Sequence, residues 1–175
     1  MIIWLILPFI GRDKMKSESG THEAIRKAIC GYLDKNGLES MVSHVVEGVD
    51  VHFYHASDAH PKVHLADPDI LVRDGDRFLA IEIEMSLAPK HLLGVATAVS
   101  QCNRFSFKGE SMRVINNVSF LLVIEGEEKE KYGSHRPKQI RFIEDALQKM
   151  PQFKFAHLVG DHEAVEYIEK WRQLK

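Results

Sequence analysis

The sequence predicts an α/β protein, a central mixed β-sheet flanked by helices on both faces. Three observations lead there. Apolar residues recur at helical spacing near the start of the chain, in its middle and twice toward its end. Between them lie runs rich in Val and Ile, and one of these, Val118 to Ile124, is continuously apolar, as a strand covered on both faces must be. The resulting order is helix, three strands, helix, strand, helix, strand, helix, a pattern that covers both sides of a sheet.

Each element has its own reason. Thr21 can cap a helix carrying Ile25, Ala28, Ile29, Tyr32 and Leu33 on one side, and Gly37 follows as a stop signal. From Met41 to His55, Val49, Val51 and Phe53 alternate with Asp50, His52 and Tyr54, which reads as a strand or a bent strand pair. Leu65 to Val72 is expected as a second strand and Phe78 to Met85 as a third, with Asp74-Gly75 as the hairpin turn between them. Pro89 opens a helix expected to run to about Phe105, since proline is tolerated in a first turn. After Val118 to Ile124, residues Glu125 to Pro137 are charged and loop-like. Ile140, Ile143 and Leu147 mark another helix, Phe153 to Val159 a strand, and Ala164 to Leu174 a final helix.

Composition narrows the function classes. The chain has 175 residues, 45% hydrophobic and 27% charged, which excludes a disordered or multispan membrane protein and fits one domain, residues 1–175. With 23 basic and 25 acidic residues the net charge is −2, so no overall field draws the protein to nucleic acid or an anionic membrane; any nucleic-acid contact must be local. The two cysteines, Cys30 and Cys102, form no CxxC pair, which suggests a reducing, cytoplasmic setting. The apolar run Met1 to Ile10 is about half the ~20 residues of a spanning helix and lacks a basic flank or a cleavage site. Residues 1–15 are expected to be an apolar arm packed on the body or on a partner copy, or an over-extended start with Met15 as initiator. No Gly-rich phosphate loop, GxGxxG or GxSxG is present.

The chemistry concentrates in the hairpin from Ala66 to Glu84. With Asp74-Gly75 as a two-residue turn, Arg73 faces Asp76, Asp69 faces Ala80 and Asp67 faces Glu82, so Asp67, Asp69, Glu82 and Glu84 project from one face. Asp69 is then diagonal to Glu82, with about 7–8 Å between their backbones across the strands. Ile70, Val72, Leu79, Ile81 and Ile83 form an apolar stripe on the other face. Four gathered carboxylates repel unless a counter-charge is present, and an oxygen-only set suits Mg²⁺ or Mn²⁺. The bland alternative is an exposed acidic face, or acids neutralised by Arg73 and Arg77. His52, His55, His60 and His64 crowd the preceding stretch, but no cysteine accompanies them and His52 and His55 would point to opposite strand faces. They read better as loop histidines than as a zinc site.

Pro68-Asp69, a hairpin, then Glu82-Ile83-Glu84 resembles the core motif of the PD-(D/E)xK nuclease superfamily, and the element order over Thr21 to Gly126 is similar to its restriction-endonuclease-like core. The resemblance implies that Asp69 and Glu82, with the backbone carbonyl of Ile83, hold one or two metal ions. It also implies a residue that positions or activates water. That place is usually lysine and is Glu84 here, while Lys90, on the following helix, is a candidate for a migrated lysine. Lys90, Gly94, Thr97, Gln101 and Arg104 fall within about 40° of one helical line, opposite Leu92, Val95, Ala96 and Val99. Gln101 and Thr97 are therefore candidate substrate or supporting contacts, against the reading of a solvated helix face. Glu23 is the nearest match to an acid that the family carries on its first helix, although it lies about 150° from that helix's apolar centre, and His22 points nearer the core. The segment Arg104 to Arg113 mixes bases, including Lys108, with aromatics, which suits backbone contact or stacking.

The expectation is a divalent-metal-dependent nuclease hydrolysing DNA, or RNA, as an endonuclease, as a monomer or homodimer and without a membrane partner. The alternative is a decayed nuclease-fold protein that binds nucleic acid or assembles without cutting.

Overall fold

The computed structural model describes residues 19–43, 51–56, 63–85, 88–113, 118–124 and 136–174; the arm at residues 1–15 and His60 lie outside them. Helix α1 is Ser19–Lys35, so Thr21 lies within the helix rather than capping it. Gly37 follows with φ +64, the left-handed stop expected of it.

Two runs, one read as a strand or a bent strand pair and the other as a single strand, each divide between two sheets. The first yields β1, Glu39–Val42, and β2, Phe53–His55. The second yields β3, Val63–Ala66, and β4, Ile70–Asp74. The break falls at Asp67-Pro68-Asp69 because Pro68 has no N–H for a ladder and constrains the residue before it. β5 is Arg77–Glu84.

Helix α2, Pro89–Gln101, stops short of Phe105. The Asn103 side chain brackets the Ala56 backbone, donating to its carbonyl at 2.8 Å and accepting from its N–H at 2.9 Å, which turns the chain into a strand beside β2. The expected basic, aromatic loop is instead a hairpin, β6 Arg104–Phe107 and β7 Glu110–Arg113. Its turn residues Lys108 and Gly109 both have positive φ, as a type I′ turn requires. β8 is Val118–Ile124, buried throughout. Then come α3, Arg136–Gln148, β9, Ala156–Gly160, a 3₁₀ turn at Asp161–Glu163, and α4, Ala164–Gln173.

The central sheet is mixed, in the order β1-β4-β5-β8-β9. β1–β4 and β4–β5 pair antiparallel, while β5–β8 and β8–β9 pair parallel. A second, antiparallel sheet, β3-β2-β6-β7, was not foreseen. One face of the central sheet buries the apolar stripe of Ile70, Val72, Leu79, Ile81 and Ile83 against Ile25, Ile29 and Leu33 of α1 and Ile168 and Trp171 of α4. The other packs Leu71, Phe78 and Ala80 against Leu92, Ala96 and Val99 of α2, Ile143 and Leu147 of α3, and Phe53 and Phe105 of the second sheet. Each such side chain contributes about 1.5–3 kcal/mol by leaving water. This second core turns acidic where β5 ends, at Glu82 and Glu84. Among the described residues, no helix is long and apolar enough to cross a membrane.

Candidate functional site

The β4–β5 hairpin sets the site. Asp74 pairs with Arg77, so the two-residue loop is Gly75-Asp76 rather than Asp74-Gly75. Gly75 takes φ +62 at the first loop position, where a type II′ turn calls for glycine. The pairing differs from expectation by two residues, an even step, so every side chain keeps its face. Ile70 pairs with Ile81, and one further step sets Asp69 opposite Glu82 instead of diagonal to it.

Asp69 is held from three directions. Its Oδ2 accepts the Ile83 N–H at 2.8 Å, and His22 Nε2, from α1, lies 3.3 Å from the carboxylate. The hydrogen bond to Asp69 raises the His22 pKa above its ordinary value, favouring the charged ring. Ser43, fully buried after β1, donates its N–H to the Asp69 carbonyl at 2.9 Å and its hydroxyl to the Pro68 carbonyl at 2.7 Å.

Glu82 is different. Its Oε2 is out of reach of solvent and has no hydrogen-bond partner among the described residues. Burial first, and then the negative charge of Asp69, hold its carboxyl well above the usual range, although the Asp69 N–H offsets part of this. Glu84 Oε1 lies 2.6 Å from His91 Nε2; burial raises its pKa and His91 opposes the rise. A cleft of about 590 Å³ opens beside these groups, lined by Asp67, Glu82, Lys90, His91 and Gly94 among others.

Asp67 lines the cleft with Glu82, as expected, but from between β3 and β4, off the hairpin, where His52 and His64 contact it. Other expected site residues stand elsewhere. Glu23 pairs with Arg26 and, at 3.7 Å, with Lys27; of the α1 residues considered, His22 is the one that reaches Asp69. Thr97 and Gln101 are exposed and do not line the cleft. Burial of Leu92, Ala96 and Val99 orients α2 so that Lys90 and Gly94 face the cleft, as expected, together with His91, Val95 and Ala98. Lys108 Nζ is 3.5 Å from Glu39, which pairs with Arg73 at the opposite end of β1 from the Asp69 site. The Arg104 guanidinium donates to Ser111 Oγ at 3.4 Å, and Phe105 and Phe107 are core residues rather than stacking platforms. Arg73 sits by Glu39, and Arg77 is taken up by Asp74 and by carbonyls at the end of α4, including that of Trp171 at 3.1 Å. Neither arginine neutralises the Asp69–Glu82 pair.

Ser43 and His91 were missed. His91 follows the singled-out Lys90 in the first turn of α2, a signal that could have found it. Nothing local marks Ser43, whose hydroxyl bridges Val51, eight residues on, and Pro68, 25 residues on.

No family model, curated protein or solved structure matches this chain.

Proposed function

We propose that the chain is a divalent-metal-dependent nuclease of restriction-endonuclease-like fold that hydrolyses phosphodiester bonds in DNA and works in a reducing compartment. The observation that carries this reading is the orphaned, buried Oε2 of Glu82, set beside Asp69 at the edge of an open cleft. A desolvated carboxylate without a partner is costly, and a second acid beside it adds repulsion; an oxygen-seeking cation resolves both. The strand order β1-β4-β5-β8, antiparallel and then parallel across the acidic hairpin, also supports the reading.

Asp69 and Glu82, with the Ile83 carbonyl, would hold magnesium or manganese. When bound, such an ion supplies charge that polarises a phosphoryl oxygen and acidifies water. The protein's own residues do the rest. His22 and the Ile83 N–H orient Asp69, and Ser43 fixes the backbone that carries it. Lys90 brings a cationic amine to the cleft, suited to a phosphate oxygen or the attacking water. Glu84, engaged by His91, stands where a lysine is usual in the family that the motif resembles.

Plasmid DNA incubated with the protein and Mg²⁺ or Mn²⁺ tests the reading. Cleavage is expected, falling more than about 100-fold in Asp69→Ala and in Glu82→Ala, with Lys90→Met reducing it and His91→Ala altering it less. Intact plasmid with either metal, together with no calorimetric binding of either ion, overturns the reading. Metal-dependent DNA binding without any cleavage would favour the decayed-site alternative, which the Glu84–His91 contact in place of a free lysine supports.

A further inference from the structure

We propose that His52, His64 and Asp67 form a binding site for a Zn²⁺-class cation, distinct from the Asp69–Glu82 pair. His52 immediately precedes β2, His64 lies on β3, and Asp67 immediately follows β3. Their convergence has a specific cause. Phe53 pairs with Ala66, so one further step sets His52 opposite Asp67 on one face. Regular pairing would then put His64 on the reverse face. Instead Tyr54 pairs with His64, leaving Leu65 as an extra, bulged residue. The bulge brings His64 to the face shared by His52 and Asp67, the kind of re-aiming for which bulges recur near functional sites.

His52 Nδ1 lies 2.7 Å and His64 Nε2 2.6 Å from the same oxygen, Asp67 Oδ1. The three ligand atoms all lie within 4.8 Å of one another. The rings meet edge to face, with centroids 5.0 Å apart. Among the described residues, no lysine or arginine pairs with Asp67. Two imidazole nitrogens and one carboxylate oxygen suit zinc, cobalt or nickel far better than magnesium, and three protein ligands leave a position open. The rings are partly exposed, 39% for His52 and 50% for His64, so an ion can enter from solvent. As the site stands, the imidazoles donate to the carboxylate; ligation requires each facing nitrogen to offer its lone pair instead.

Protein freed of metal and titrated with Co²⁺ provides the test, with Zn²⁺ calorimetry in excess Mg²⁺ alongside. One equivalent of Co²⁺ is expected to give the visible bands of a four-coordinate ion, and Zn²⁺ to displace it. His52→Ala and His64→Ala should each weaken Zn²⁺ binding at least about tenfold. The Asp69→Ala/Glu82→Ala variant should keep both the bands and the affinity. Zn²⁺ should raise the melting temperature of wild type but not of His64→Ala. Should His64→Ala fail to fold, His64→Gln and His52→Gln answer the same question. Absence of Co²⁺ bands, unchanged Zn²⁺ affinity in both histidine variants, or loss of binding in the Asp69→Ala/Glu82→Ala variant instead would overturn the proposal and leave a hydrogen-bonded triad only. Plasmid cleavage is scored separately, so failure here and failure of the nuclease reading are told apart.

Discussion

Glu82 concentrates the electrostatic cost of the fold, because one of its oxygens is buried without a partner among the described residues. Glu82→Gln removes the charge while keeping the shape, so in chelator near neutral pH it should melt higher than wild type, by about 2–4 °C or more, the shift that 1 kcal/mol makes in a chain of this size. The opposite sign is expected at Ser43, where alanine strands the Pro68 carbonyl; urea unfolding should show a loss of about 1–3 kcal/mol. His157 supplies a pH dependence. Burial, aided by the positive charge of Lys170, lowers its pKa below the ordinary 6.5. The folded state therefore prefers the neutral ring. Its contribution to stability is complete above pH 6.5 and is lost as pH falls through the lowered value. Between about pH 7.5 and about pH 5, His157→Phe should lose less melting temperature than wild type. Asp69 and Glu82 were legible as a pair because strand parity is a local property. Ser43 and His91 were not, since their roles exist only once distant segments meet.

The β4–β5 hairpin shows how an element absorbs an error in reading. Its loop lies one residue later than the Asp-Gly signal suggests, yet the acids keep their face because the pairing changed by an even number. Gly75 carries the left-handed backbone of that loop, with open space around it. Alanine there should cost about 1–2 kcal/mol through backbone strain alone. Gly31, inside α1 and equally unobstructed, predicts the reverse: Gly31→Ala should stabilise by about 0.5–1 kcal/mol. Thermal melts of the two variants check both signs together. α2 was read correctly as a helix with Leu92, Ala96 and Val99 inward, and Lys90 and Gly94 of its polar line do meet the cleft; Thr97 and Gln101 of that line do not, and Val95, expected inward, lines the cleft. A helical wheel defines angles within a helix; the neighbours decide which angle meets the cleft.

The second sheet joins the central one through aromatic packing. Phe105 stacks on Phe53 with centroids 5.2 Å apart and meets Phe78 of β5 at 4.7 Å. Phe105→Ala should cost about 3–5 kcal/mol in denaturant unfolding. Because the second sheet carries His64 beside the linker to Asp69, Phe105→Ala should also disturb the hairpin site. Periodicity and turn residues, read along the chain alone, determined the α/β class, the four helix and strand runs from Val118 onward in their order, the apolar stripe from Ile70 to Ile83, and the shared face of Asp69 and Glu82. All of these depend on neighbours a few residues apart. The tertiary structure alone decided that two runs split between two sheets, that Arg73, Arg77 and Lys108 are engaged away from the acids, that His22 rather than Glu23 meets Asp69, and that a bulge at Leu65 gathers two histidines around Asp67. Those outcomes follow from pairings between segments far apart in sequence, where a change of one residue in register alters which side chains meet.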